Sequence, residues 1–456
     1  MFIFLSGCNL SVDLPEQVQQ IPMPEILIVE SVDVFTGLSD SLLQNMDVYI
    51  QAGRIQNMIQ TGAAMPENAM RIDGRGKTLL PGLIDMHVHV GGAEAAPWDL
   101  FIVEPEAHLD MWLAAGITTV ADMGGNPSVL QDMKAKQRSA EITGPRIFMP
   151  GSSPITVSEG HPIAALKSIL PFPLGAVLAR QFSTVDSPKD AKAVVESTLS
   201  YNPDFVKVIY DKIPDDSPQL SLDGLKAIVD SAHEHQLPVY AHIGTAQDAV
   251  EAIQAGVDVL AHGIYQGDMS EEELNMIVES KVPIVYTAWA FEATAQTAEG
   301  DLSASKMDKK LAPKRAVDSA LGQKGAQVLD QKVMGQMART CSENRNKRQS
   351  HIKRLYEAGA PILVGSDSPF FGIWAGASLH HELEELVASG LSPADALKGA
   401  TSLAAKTLDP ASDFGTVEVG QRAELILVEG NPLTDISNTQ RLTHVIQGTK
   451  IQYMLD

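Results

Sequence analysis

Cysteine is almost missing from this chain, with Cys8 and Cys341 the two examples in 456 residues. That scarcity excludes a disulfide framework and a thiolate metal cluster, so any bound metal must rely on histidine, carboxylate or similar ligands. Positive charge is also short. Thirty-four Lys and Arg stand against 57 Asp and Glu, a formal net charge of −23, and the resulting repulsion argues against nucleic acid as a partner. The acids are scattered and form no acidic tail, which reads as a solvated surface. No run of about 20 apolar residues occurs, so the sequence offers no transmembrane helix.

What is present is ordinary globular material. Hydrophobic residues make up 44% and charged residues 20%, enough to bury a large core. The length exceeds one small domain, although a (β/α)₈ barrel of roughly 250 residues or more would absorb most of it.

The opening residues 1–5 are apolar and run into Leu5-Ser6-Gly7-Cys8, after which the chain turns polar. This resembles the lipobox of a bacterial lipoprotein signal, without the basic start and longer apolar stretch that normally precede it. The resemblance implies lipidation of Cys8 and attachment at the periplasmic face of the cell envelope; the alternative is a frayed terminus on a cytoplasmic protein. Residues 1–24 are therefore expected to be signal and tether.

Residues 25–82 carry short strand-like runs around 26–29, 48–50 and 54–59, separated by turns, and 409–456 return to strand texture after a helix expected at 394–408. The two ends are expected to build one small composite β-sandwich domain. Between them, 83–408 alternates apolar strand-like runs with amphipathic stretches, the pattern of βα units on a parallel sheet. Strands are expected at 83–87, 118–122, 146–149, 205–209, 239–242, 259–261, 283–286 and 362–364, giving an α/β fold of the (β/α)₈ TIM-barrel type. A polar helical excursion, 294–349, interrupts the last two strands and is a candidate lid.

The chemistry gathers at strand ends. His87 and His89 flank Val88, and residues two apart in a strand point to the same face. Both imidazoles can face the barrel interior, whose C-terminal mouth is where catalytic groups collect. His242, His262 and Asp367 each close a further expected strand, and three metal-competent groups so placed point to one shared site. Lys207 sits in the apolar run Phe205-Val206-Lys207-Val208-Ile209, where an ammonium is costly to bury without a partner. Either it snorkels to the surface, or its amine is carbamylated by CO₂ and becomes a carboxylate bridging two cations.

Taken together, Leu80-Pro81-Gly82-Leu83-Ile84-Asp85-Met86-His87-Val88-His89, Ala115-Gly116-Ile117-Thr118-Thr119-Val120, the strand bearing Lys207, His242, Ala261-His262-Gly263, Gly365-Ser366-Asp367-Ser368 and Gly420-Gln421-Arg422-Ala423-Glu424-Leu425-Ile426-Leu427 resemble the amidohydrolase superfamily. The likeness is strongest to its imidazolonepropionase-like and Xaa-Pro or Xaa-Arg dipeptidase-like branch. By that resemblance His87, His89 and Asp367 hold one divalent ion, His242 and His262 a second, and carbamylated Lys207 bridges both, with Zn²⁺ the expected metal. A bridging hydroxide would attack the carbonyl of a small amide, such as a dipeptide or N-acyl amino acid, with Asp367 as general base and then acid. A lactone or ester substrate on the same site is the alternative, and a non-catalytic surface lipoprotein a more distant one. Glu424 stands where the family more often has aspartate.

Substrate contacts are less marked. Tyr210, three residues after Lys207, is expected at the barrel mouth. His161, in Ser158-Glu159-Gly160-His161-Pro162, resembles a Gly-Gly-His-Gly loop of the dipeptidase branch but lacks its second flanking glycine. Trp289, Trp374, Phe370 and Phe371 are candidates for an apolar pocket wall. His380 and His381 fall on an expected helix and read as structural. Partners are thus a small-molecule substrate, a membrane through Cys8, and further copies of the chain if it oligomerises.

Overall fold

The computed structural model describes residues 23–62, 66–94, 105–169, 172–213, 216–329 and 332–454; Cys8 and most of the tether lie outside them. Near the N-terminus run β1 (Ile26–Val34), β2 (Leu43–Gln51), β3 (Arg54–Gln60), β4 (Met70–Asp73) and β5 (Lys77–Pro81). Eight strands alternating with helices follow: β6 (Leu83–Val88), β7 (Ile117–Asp122), β8 (Arg146–Phe148), β9 (Val206–Ile209), β10 (Val239–His242), β11 (Val259–Ala261), β12 (Ile284–Tyr286) and β13 (Ile362–Val364). The chain ends on β14 (Glu424–Glu429), β15 (Leu442–Gln447) and β16 (Lys450–Met454).

β6, β7 and β8 form one parallel sheet and β13-β12-β11-β10-β9 another. Isolated parallel bridges join them on both sides, Val88 with Ser368 and Pro150 with Phe205. Every residue of β6, β7, β9 and β10 is buried, as parallel strands covered on both faces must be. The intervening helices carry strong local start and stop signals. Helix Ala246–Ala255, for instance, begins with a Thr245–Asp248 capping box and ends on left-handed Gly256.

The strands from the two chain ends hydrogen-bond into a single sheet, not two separate stacked ones. β5 is the reason: it pairs in parallel with β1 and antiparallel with β14. The sheet folds back so that Ala423 N donates to Gly53 O and Ile55 N to Gln421 O. Along β14 the period of two divides labour, with Leu425 and Leu427 in this sheet's own core while Ile426 and Val428 pack on the main body. Glu424, at the family's usual aspartate position, accepts from Arg146 Nη2 of β8 at 2.7 Å.

Two expectations need correction. The helix at 394–408 is broken into Pro393–Gly399 and Ser402–Leu408. The break at Thr401 (φ −140°, ψ −97°) frees the Ala400 carbonyl to accept from Ile84 N of β6 at 2.8 Å. The 294–349 excursion is helical but is more than a polar surface insertion. Leu302, Leu311, Ala320 and Leu329 join the main core, and buried Arg348 pairs with Glu292 at 3.0 Å. The excursion also packs on the loop after β13, where a Cβ on Gly372 would lie 2.9 Å from Thr297 Oγ1.

His380 and His381, on helix Ala377–Ala388, are structural. His380 hydrogen-bonds Thr439 Oγ1 and Ala115 O. His381 Nε2 lies 3.0 Å from Asp308 Oδ2, and the same Asp308 oxygen caps Ser305 N of the excursion. Burial works against the imidazolium, but Asp308 and Glu384 outweigh it and raise the His381 pKa to about 9. A folded-state pKa above the ordinary histidine value of 6.5 contributes stability that is complete below pH 6.5 and lost as pH climbs through about 9. The stability difference between wild type and His381→Gln, measured by urea denaturation, should therefore shrink across that window; a constant difference would contradict the clasp.

Candidate active site

β6 carries His87 and is followed directly by His89, and both meet Asp367, three residues beyond the end of β13. Asp367 Oδ1 lies 3.3 Å from His87 Nε2 and 3.1 Å from His89 Nε2. Asp367 adopts a left-handed backbone (φ 59°), which for a non-glycine residue must be held in place by its surroundings. Two contacts hold it: Asp367 N donates to His87 O at 2.8 Å, and fully buried Asp85 accepts from Ser366 N, Ser366 Oγ and His87 N. Burial, opposed by the Ser366 hydrogen bonds, lifts the Asp85 carboxyl to about 7. The approach is close enough that a Cβ on Gly365 would sit 2.7 Å from His87 Cβ.

The next strand ends bring the remaining groups. The His262 ring centroid lies 4.3 Å from that of His87 and 4.3 Å from that of His242. His262 is also left-handed (φ 133°), and a Cβ on its neighbour Gly263 would run into the Tyr286 ring. Thr287 Oγ1 sits 2.7 Å from His262 Nδ1. His242 Nε2 is 3.0 Å from Asp211 Oδ2, which also accepts from Tyr265 Oη at 2.5 Å. Although burial works against the Asp211 carboxylate, the bonds from His242 and Tyr265 prevail and lower its pKa. The His161 ring approaches to 5.5 Å from His242.

Lys207 is 3% exposed and its Nζ has no hydrogen-bond partner among the described residues. Burial, against the attraction of Asp367, lowers its pKa to about 7. His87 and His262 are pushed well below the ordinary histidine range, first by burial and then by neighbouring Lys207 and His87 respectively. Both are thus neutral imidazoles, the form that binds metal. His87, His262 and Asp367 each offer one ligand atom within 4.8 Å of the others, and His87 Nδ1 is buried without a partner. An all-histidine-and-carboxylate donor set with an uncompensated buried amine fits a divalent cation.

Not every expected residue joins. Tyr210 points away: its hydroxyl donates to Glu251 Oε2 at 2.5 Å, on helix Ala246–Ala255. The strand period explains this, since residues 207, 209 and 211 share a face and an offset of three lands on the other. The residue that the offset should have selected is Asp211. Trp374 and Phe371 are fully buried core residues, and partly buried Trp289 and Phe370 pack against the same core. Trp289 lies 4.7 Å from His381, centroid to centroid. Thr287 and Asp122 were also missed; Asp122 accepts from Val90, Gly124 and Gly125 N and thereby braces the turn after His89.

A sequence profile of the Amidohydrolase family matches residues 78–450. The chain belongs to the amidohydrolase family. As an amidohydrolase it is a hydrolase of carbon–nitrogen bonds. It is 24% identical to an ochratoxinase of Aspergillus niger over 410 residues, covering 82% of this chain and 75% of that one. Among solved structures it resembles a Xaa-Pro dipeptidase with bound methionine in the active site (TM-score 0.75, 23% identity, 93% of this chain and 99% of that chain). It also resembles A. niger ochratoxinase (TM-score 0.71, 21% identity, 94% and 96%).

In this amidohydrolase, Asp211 Oδ2 accepts from His242 Nε2 and from Tyr265 Oη and so orients the His242 ring. Asp211→Ala removes that acceptor. Metal affinity, read by chelator competition, should fall about 10- to 100-fold with the fold retained; unchanged affinity would remove Asp211 from the site.

Proposed function

We propose that the eight parallel strands close into one (β/α)₈ barrel and that the cluster at its mouth hydrolyses the amide bond of a small substrate, a dipeptide, N-acyl amino acid or related compound, with two divalent cations, Zn²⁺ foremost. The two bridges between the sheets and the likeness to a Xaa-Pro dipeptidase support the barrel and the amide. One observation carries the metal reading: a buried, unpartnered Lys207 amine among four histidines and Asp367.

His87, His89 and Asp367 would hold one cation and His242 and His262 the other. Lys207, with its pKa near 7, carries a substantial neutral fraction at neutral pH. Its nitrogen lone pair would add to the carbon of CO₂ with release of one proton, giving a carbamate that could offer an oxygen to each cation. The bound cations supply Lewis acidity and lower the pKa of water. Asp367 directs Oδ1 at the His87 and His89 nitrogens, leaving Oδ2 to take the proton of the attacking water and return it to the leaving nitrogen. The thermodynamic logic is mutual: the carbamate needs cations to persist, and the cations need its charge.

Metal loading should consequently depend on bicarbonate. Lys207→Ala is expected to drop metal content from about two per chain to one or fewer and to cut turnover of N-acyl amino acids strongly. Elemental analysis of both proteins, purified identically with and without bicarbonate, provides the check. Equal metal content would overturn the bridged site, and turnover of lactones in preference to N-acyl amino acids would replace the amide with an ester substrate.

A further inference from the structure

Helix Ala288–Glu299 begins one residue after Thr287, the residue in the N-cap position. Thr is well suited to cap a helix with its own hydroxyl, yet Thr287 makes no side-chain cap hydrogen bond. Its Oγ1 is committed to His262 Nδ1 instead, at 2.7 Å. The first helical N–H groups still need acceptors, because they have none inside the helix and lie where water is excluded. Glu382 provides one from helix Ala377–Ala388. Its Oε2 accepts from Trp289 N at 2.5 Å. Glu382 is 0% exposed.

We infer that Glu382 is a positioning residue for His262: by capping the helix in place of Thr287, it frees the Thr287 hydroxyl to hold His262 Nδ1–H and so directs Nε2 into the cluster. This rests on the reading of His262 as a metal ligand. The surroundings leave the imidazole little alternative. Tyr286, adjacent to Thr287, packs its ring against Gly263 so closely that a Cβ there would lie 1.9 Å away. Residues 286 and 287 therefore fix the backbone and the ring of residues 263 and 262 in turn, and Glu382 fixes the start of the helix that follows them. Without Glu382, Thr287 Oγ1 would be the nearest local acceptor for the helix N-terminus, and helix cap and His262 would compete for one hydroxyl.

Burial raises the Glu382 pKa to about 8, against the lowering effect of the neighbouring Trp289 N–H. The cap at neutral pH is thus chiefly the carbonyl oxygen of a protonated acid, and an amide can replace it. Glu382→Gln is expected to behave as wild type, whereas Glu382→Met removes the acceptor at similar length. Should Glu382→Met fail to fold, Glu382→Asp withdraws the acceptor by one methylene and serves the same readouts.

Two measurements separate positioning from mere stabilisation. The first is the tautomer of His262 in metal-free protein, from ¹⁵N-histidine spectra assigned with His262→Gln. Wild type and Glu382→Gln should show a protonated Nδ1 and a bare Nε2; Glu382→Met and Thr287→Val should show a mixture. The second is affinity for Zn²⁺ by chelator competition, expected to weaken about 10- to 100-fold in Glu382→Met and in Thr287→Val and no further in Thr287→Val/Glu382→Met than in Thr287→Val, since both act through one bond. Losses that multiply in the double variant, or a Glu382→Met that lowers Tm while leaving the tautomer and the affinity at wild-type values, would overturn the proposal. A tautomer that responds while Zn²⁺ affinity does not would support the positioning role and contradict His262 as a metal ligand.

Discussion

An amine buried among imidazoles is the constraint from which the rest of the site follows. Lys207 lies on a strand whose four residues are all buried, and its amine finds no hydrogen-bond acceptor among the described residues. Leaving such a group charged and unpaired is costly, so burial displaces its pKa toward neutrality. The same exclusion of water keeps His87 and His262 neutral. What results is a pair of neutral imidazoles, His87 and His262, beside one carboxylate, Asp367, and a buried amine, a donor set that fits a divalent cation.

Orientation is the other half of the site, and it comes from groups one step removed. Asp85 secures the Ser366 turn that holds Asp367 in a left-handed backbone. Asp211 holds His242, and Thr287 holds His262. Each acceptor fixes which ring nitrogen or carboxyl oxygen faces inward, a level of control that typically matters as much as the ligands themselves. Helix Ala377–Ala388 ties several of these elements together, since it follows the loop of Asp367, touches the helix of Thr287 through Glu382 and clasps the excursion through His381.

Much of this was readable in the residues, and the exceptions have physical causes. His87, His89, His242, His262 and Asp367 were visible because each lies at or just beyond the end of a short apolar strand, and a period of two relates 87 to 89. The expected strand 205–209 begins one residue later, at Val206, with Lys207 inward as the run of apolar neighbours implied. Tyr210 was misplaced because its proximity to Lys207 was weighed without its parity; the same period of two points to Asp211, which hydrogen-bonds His242. Thr287 carried no signal at all, being one hydroxyl at a strand-to-helix junction whose partner lies 25 residues away. The strands of the two chain ends, expected to build one small composite domain, hydrogen-bond into one sheet through β5, which pairs with both halves. The single helix expected at 394–408 breaks because its Ala400 carbonyl serves β6, a tertiary demand that helix propensity does not encode.

The most direct test is anomalous diffraction at the zinc edge from crystals of Zn²⁺-loaded protein grown with bicarbonate. The account predicts two peaks, each about 2.0–2.2 Å from its ligand atoms: one against His87, His89 and Asp367, the other against His242 and His262, with both joined by a carboxylated Lys207. A single peak, or an unmodified Lys207 standing clear of both positions, would contradict it.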